Sequence, residues 1–449
     1  PAKLTPMSTP QPPSDLTTKS THLVYGLAER VPLVPSLLVS FQHVSAMVVG
    51  TITPALILAG ILKFSPADTA YLVCMALLAS AVGTLFQTGR YGLVGSGLLS
   101  VTGTSFAFLG PLIQAGQTGG LALMFGMSLA AAPVQLIFAP FLPKLKNLFA
   151  PIVSGVVVLL IGLSLIPTAM FGIAAPIAPG APAWGGALVA AVVIAVMLIA
   201  QATGRPWTRL GGVLFGLIAG YLICGFAGWL PTPAPSDGTW IVIPKLLPHD
   251  LAFSWELLVP FGFIYLVSVL EALGDMTATA QLSGLDTHGP EHWTRLRGGI
   301  IADGLTSIFA ALIGGFPSTT FAQNNGVIQI TGVASRRIGP IMALMLAALG
   351  LFPAVGRWIT AMPGAILGAL ALILFGLVAV SGLRLIERAG LTSRNGLIIA
   401  LSLAVGLGAP TQAAWIKTLP SFIQALLDSG IAAGGLTALA LNQIVRERT

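Results

Sequence analysis

Apolar runs recur along the whole chain, among them residues 56–62, 152–166, 187–200, 341–351 and 366–380. A helix needs roughly 20 mostly apolar residues to cross a bilayer, and runs of this density leave few other folds open. Charge offers no alternative. Only 8% of the 449 residues are charged, against about 25% in a soluble chain, and the mean hydropathy is +0.92. So few charges cannot cover a water-facing surface, so most of the surface meets lipid. The runs predict about twelve to fourteen crossings, two or three of them short or glycine-rich, in an all-α polytopic membrane protein.

The first residues are rich in Pro, Ser and Thr and lack an apolar core, so they read as a flexible arm rather than a secretory signal, leading into an amphipathic piece over 23–33. Cys74 and Cys224 both lie in apolar runs and read as buried small hydrophobes, not a disulfide. The net charge of +7 does not point to nucleic acid. With alternate loops of fourteen segments assigned to alternate sides, only Lys63, Lys245, Arg357 and Lys417 fall opposite the other Lys and Arg residues. That is the positive-inside bias of a helical membrane protein with both termini cytoplasmic.

The chain also echoes itself. Thr104-Ser105-Phe106-Ala107 aligns with Thr319-Thr320-Phe321-Ala322, and the run from Pro151 aligns with that from Pro363 at nearly the same separation. Seven crossings in each half would make the halves inverted repeats, the design in which transporters place a site near the bilayer midplane. In both aligned stretches Gly, Pro and β-branched residues argue against continuous helix. Each predicts a short extended piece and a half-helix, starting near Thr104 and Thr319. Such backbone survives inside a membrane only where protein buries it or it lines a wet cavity.

Three carboxylates, Glu271, Asp275 and Asp303, fall inside apolar segments. Glu271 and Asp275, four apart, share a helix face with Thr279. A carboxylate at that depth is costly unless paired, protonated or wet, and one that exchanges a proton as its exposure changes can couple transport to a proton gradient. A structural hydrogen bond between helices is the competing reading for each. His43, beside Gln42 in the first crossing, reads as a helix-linking or site-touching hydrogen bonder. His249, His288 and His292 fall in predicted loops, no His/Cys cluster has metal spacing, and there is no Walker loop. No cofactor is expected.

The stretch Gln323–Gly332, QNNGVIQITG, resembles the signature of the nucleobase–ascorbate transporter family at every fixed position: Gln323, Asn324, Gly326, Thr331 and Gly332. The Gln42-His43 pair and EALGDMTATA from Glu271 are also similar, and the likeness extends to bacterial xanthine permeases over LVGSGLLS and LSLAVGLG. The resemblance implies fourteen segments in a seven-plus-seven repeat with short strands and half-helices in segments 3 and 10. It implies core and gate domains, a homodimer in the bacterial inner membrane, and proton symport of purines by an elevator-type movement. Its boundaries on this chain are an arm over 1–33, core over 34–145 and 251–356, gate over 146–230 and 357–445, and a periplasmic linker over 231–250.

By the same resemblance Glu271 and Gln323 hydrogen-bond the nucleobase, Phe108 stacks on it, and the backbone at Ala322 adds a contact. Asp275 is linked to the proton. His43, Asn324, Asp303, Gly326 and Thr331 support the site, Asn324 and Thr331 by holding the half-helix to its neighbours. Ala107 stands where the xanthine permeases carry Asn, which enlarges the pocket and predicts tolerance of a purine C8 substituent, hence uric acid. The glycine-rich face over 432–441 is a candidate dimer surface. Three alternatives remain: an anion exchanger or channel of the related seven-plus-seven fold, a symporter of other purines or uracil, and a membrane-embedded enzyme. The last lacks any nucleophile–base or metal constellation.

Overall fold

A computed structural model describes residues 23–142, 150–203, 206–231, 240–287 and 289–445. The first two helices, α1 (Leu33–Leu62) and α2 (Pro66–Thr88), form a hairpin whose turn is written in its residues. Lys63 ends α1 in a left-handed conformation, φ 54°, and Ser65 caps α2 by accepting from the Asp68 N–H at 3.0 Å. Pro66 then stands where its missing N–H is not needed.

A three-residue strand, β1 (Thr102–Thr104), leads through a single 3-10 turn at Phe106–Phe108 into α3 (Leu109–Ala131). That helix breaks at Gly119 and Gly120, the latter at φ 63°. After α4 (Pro133–Phe138) come α5 (Pro151–Ala174), α6 (Gly185–Ala202) and α7 (Pro206–Phe226). The second half repeats the order with α8 (Trp255–Leu282), α9 (Pro290–Ile313), β2 (Ser318–Thr320) and the nine-residue α10 (Gln323–Thr331). There follow α11 (Gly339–Leu351), α12 (Pro353–Thr360), α13 (Gly364–Ala389), α14 (Ser393–Gly408), α15 (Ala413–Ile416), α16 (Ser421–Asp428) and α17 (Gly430–Ile444).

The halves meet at the strands. β1 and β2 pair antiparallel, with Thr102 opposite Thr320, Gly103 opposite Thr319 and Thr104 opposite Ser318. An antiparallel pair is symmetric about directly opposed residues, so a two-fold axis centred here relates Gly103 to Thr319, one residue away from the sequence alignment. The half-helices also start later than predicted. Thr104 and Thr319 are still in the strands, and helix begins only after Ser105 and Ala322 because the ladder continues through Ser105 N–H to Pro317 and Phe321 N–H to Val101, both 2.9 Å.

Nine helices among the described residues are long and apolar enough to cross a membrane, or ten if α11 and α12, bent by 70°, count as one. This is fewer than the predicted twelve to fourteen because several expected crossings exist as pieces: α10 alone has nine residues, and α17 has 15. The principal apolar cluster draws on α1, α2, α3, α8 and α11, with separate clusters along α6, α7 and α13 and along α5, α14 and α17. Helices α5 and α13 approach backbone to backbone. A Cβ on Gly162 would come within 2.5 Å of the Ala379 nitrogen, and one on Gly382 within 2.4 Å of the Leu159 nitrogen, the small-residue packing typical of helices in lipid.

Several expectations change. The arm predicted over 1–33 lies outside the described residues up to 22, and its described end is tied down rather than loose or helical. Val24 N–H donates to Gly332 at 2.8 Å, Ala334 N–H to Tyr25 at 2.9 Å and Arg336 N–H to Leu27 at 3.0 Å. The linker predicted over 231–250 is described at 231 and from residue 240 on, where Val242 N–H bonds Leu351 and Leu247 N–H bonds Leu312, at 2.8 and 2.7 Å. The glycine face over 432–441 does not look outward: Gly434 abuts Leu160 and Ser402, and Gly435 abuts Phe263, so close packing within the chain consumes it. His288 lies outside the described residues, whereas His292 sits in the first turn of α9 with Nε2 3.2 Å from the Thr277 hydroxyl. Both cysteines are free and buried, as predicted.

Candidate functional site

Two short strands inside an apolar bundle leave backbone groups along their outer edges, and each repeat supplies hydroxyls to meet them. On the β1 side, Thr102 N–H donates to Thr84 Oγ1 at 3.2 Å and the Ser80 hydroxyl donates to the Thr102 carbonyl. On the β2 side, Ser318 N–H donates to Ser307 Oγ at 3.1 Å. Helices α2 and α9 thus play matching parts, and buried backbone groups inside the bundle are satisfied without water. From this pair α3 and α10 leave in opposite directions, so their N-terminal ends meet at the centre.

The two ends differ in what they present. Ala107 and Phe108 are fully buried, and the Phe108 ring packs edge-on against Tyr265 with centroids 4.5 Å apart. Phe106 is the half-buried ring of this turn and meets Phe375 of α13 at 5.3 Å. At the other end Ala322 and Gln323 are exposed. Gly326, one turn on, faces open space where a Cβ would touch nothing within 4 Å. One face of α10 is therefore open, and Gln323 stands at its head.

The opposite face of α10 is stitched down by amides. Asn324 Nδ2 donates to the Leu99 carbonyl. Asn325, which the sequence reading passed over, accepts from the Thr279 hydroxyl at 2.6 Å, whose oxygen also lies 2.8 Å from the Asp275 carbonyl, so one hydrogen is shared between the two acceptors. The Thr279–Asn325 bond joins α10 to α8, the helix that holds Glu271 and Asp275. Thr331, expected to grip neighbouring helices, instead turns back on its own: its hydroxyl donates to Val327 at 2.8 Å and accepts from Val333 N–H at 3.2 Å, closing the last turn before Gly332 at φ 67°.

The carboxylates gather behind this frame. Glu271 and Asp275 are half-buried, and Glu271 Oε2 has no hydrogen-bond partner among the described residues. Asp303 is fully buried on α9, and Asp275 feels the charges of both Glu271 and Asp303. Gln87 of α2, also missed in the sequence, donates through Nε2 to Asp303 Oδ1 and to the Gly299 carbonyl, both at 2.8 Å. A carbonyl only accepts, so Gly299 fixes which end of the Gln87 amide faces Asp303. His43 is buried on α1 with Asn324 facing it, and neither ring nitrogen closes a hydrogen bond among the described residues. Gln42 and the hydroxyls of Thr319 and Thr320 likewise have unused capacity. These groups bring unpartnered donors and acceptors together, with no Lys or Arg among those just named.

A family profile described as "Permease family" matches residues 35–415. The chain is 41% identical to xanthine permease XanP of Escherichia coli (strain K12) over 441 residues, covering 95% of each chain. It is 39% identical to xanthine permease XanQ of the same strain over 445 residues, covering 96% of each. Among solved structures it is similar in fold to the transmembrane domain of the cyanobacterial bicarbonate transporter BicA, with a TM-score of 0.58, 14% identity and coverage of 91% of this chain and 99% of that one. It is similar also to the murine anion transporter Slc26a9, with a TM-score of 0.61, 12% identity and coverage of 93% and 69%. The apolar helices and these relatives identify a multi-pass membrane permease, not an enzyme. The chain belongs to the permease family that its signature stretch resembles, the nucleobase–ascorbate transporters.

Proposed function

We propose that this protein is a proton-coupled symporter that imports purine nucleobases, xanthine and uric acid foremost, by elevator-type alternating access. The observation that carries the reading is Glu271, a carboxylate with an unpartnered oxygen, on a helix bonded through Thr279 and Asn325 to the open-faced half-helix headed by Gln323. A xanthine-like ring offers N–H beside C=O on its edges. Glu271 accepts from the N–H, and the Gln323 amide both donates and accepts on the neighbouring edge. The identity to xanthine permeases supports that substrate class.

In this reading Asp275 exchanges the proton, while His43, Asn324, Asp303, Gly326 and Thr331 shape the site. Ala322 contributes its backbone. Phe108, packed on Tyr265 in this structure, stacks on the base once that edge contact opens. Ala107 leaves room at purine C8. Residues 34–145 and 251–356 are the moving core, 146–230 and 357–445 the gate, with the α5–α13 pair as its spine. The protein works as a homodimer in the bacterial inner membrane with both termini cytoplasmic.

Uptake of labelled xanthine into proteoliposomes under an imposed pH gradient tests the proposal. Accumulation should rise with the inward proton gradient and fall when urate is added in excess. Uptake indifferent to the gradient removes the coupling, and failure of excess urate to compete removes the C8 argument. The fold likeness to anion transporters favours a second reading, in which bicarbonate or sulfate moves instead; anion flux without xanthine flux would put it first.

A further inference from the structure

Just past the end of α2, two guanidinium groups share one carboxylate, and two more, Arg336 and Arg337, line a pocket beside Thr88 and Gly89. Arg90 Nη1 lies 2.7 Å from Glu291 Oε1, and Arg295 Nη2 lies 3.2 Å from the same oxygen. Arg295 donates also to the carbonyls of Ser96 and Gly97, at 3.2 and 3.4 Å, and feels the charges of Arg90 and Arg336. Arg337, exposed, donates through Nε to the Ala28 carbonyl at 2.7 Å, and its terminal nitrogens make no hydrogen bond among the described residues. Glu29, the one carboxylate among the described residues before α1, is turned back onto the Gly26 N–H at 2.9 Å. The Arg336 side chain has neither an ion pair nor a hydrogen bond among the described residues.

These charges border an open pocket of about 220 Å³ lined by Thr88, Gly89, Tyr91, Arg336, Arg337 and Pro340. Tyr91 of this lining is 55% exposed, and Leu93, two residues on, is 66% exposed. A planar guanidinium matches a phosphate better than it matches any spherical anion. Exposed tyrosine at the end of an apolar helix marks the level of lipid headgroups, and basic pockets between membrane helices recognise anionic ones.

We propose that this pocket binds a phosphate-type oxyanion, the headgroup phosphate of an anionic phospholipid whose chains run down past Tyr91 and Leu93, with Arg336 and Arg337 as its ligands. The site is separate from Glu271 and Gln323 and does not depend on what the permease carries.

The test is the thermal midpoint of the full chain in a neutral detergent, titrated with phosphatidylglycerol, phosphatidylcholine or inorganic phosphate. Phosphatidylglycerol should raise the midpoint saturably and phosphatidylcholine should not. Arg336→Gln should leave the lipid-free midpoint unchanged, since that side chain makes no internal bond, and weaken the apparent lipid affinity about tenfold. Arg336→Lys, which keeps the charge and guards against a folding defect, should lose only a few-fold. A shift given by inorganic phosphate alone, and lost in Arg336→Gln, keeps the oxyanion site and assigns it to free phosphate. Equal phosphatidylglycerol shifts in the wild-type and Arg336→Gln proteins overturn the proposal, as does the absence of any shift with either anion.

Discussion

The two broken segments have the same backbone plan and opposite surroundings. Each runs from a three-residue strand into a helix, with hydroxyls from the second helix of its own repeat closing the strand edge. After β1 the chain is held by apolar packing, with Ala107 and Phe108 buried. After β2 it is held by carboxamides on one side and left open on the other, with Asn324 and Asn325 bonded inward and Gln323 exposed. Symmetry of the backbone therefore does not extend to chemistry. The first segment presents buried apolar side chains, and the second presents carboxamides beside an open face.

The largest break in that comparison should come from the carboxylate behind the second segment. Glu271→Gln should cut proton-driven xanthine uptake by at least about a hundredfold while the protein still purifies as a monodisperse species; near-normal uptake would remove Glu271 from the mechanism. Gln323→Glu comes next. It converts a mixed donor–acceptor edge into an acceptor, so xanthine should compete about tenfold less well. An unchanged order of purine competitors would show that the head of α10 does not read the base. The smallest change is Asn325→Ala, which removes the bond from Thr279 that joins α10 to α8 while leaving that hydroxyl the Asp275 carbonyl; it should cost about 1 kcal/mol, read as a lower thermal midpoint with moderately reduced uptake. If stability is unaltered, the half-helix is held by something other than its amides.

Much of this frame was legible before any coordinates. Apolar runs gave the membrane class, and Gly, Pro and β-branched residues marked both interruptions. The signature stretch located the open half-helix. What escaped were partners far apart in the chain. Gln87 closes an apolar helix and looks like an ordinary boundary residue, yet its amide is fixed between Asp303 and Gly299. Asn325 looked like a neighbour of the signature Asn324 and has its own partner on α8. Such contacts carry no periodicity, because they depend on how two helices are set against each other and not on the pattern within either. The start of each half-helix was misplaced for a related reason: strand pairing between the repeats extends Ser105 and Phe321 beyond the point where local propensity favours helix.

The antiparallel strand pair also constrains how the chain can be made. Synthesis delivers β1 more than two hundred residues before β2, and until then the extended residues after Val101 have no ladder partner inside an apolar environment that offers none in exchange. The first repeat alone is thus an unfinished object, satisfied only when the second arrives. Tyr25, which makes an isolated bridge to Val333, waits longer still. Assembly of the centre is therefore a late event, since the ladder between the repeats closes only once β2 has been made.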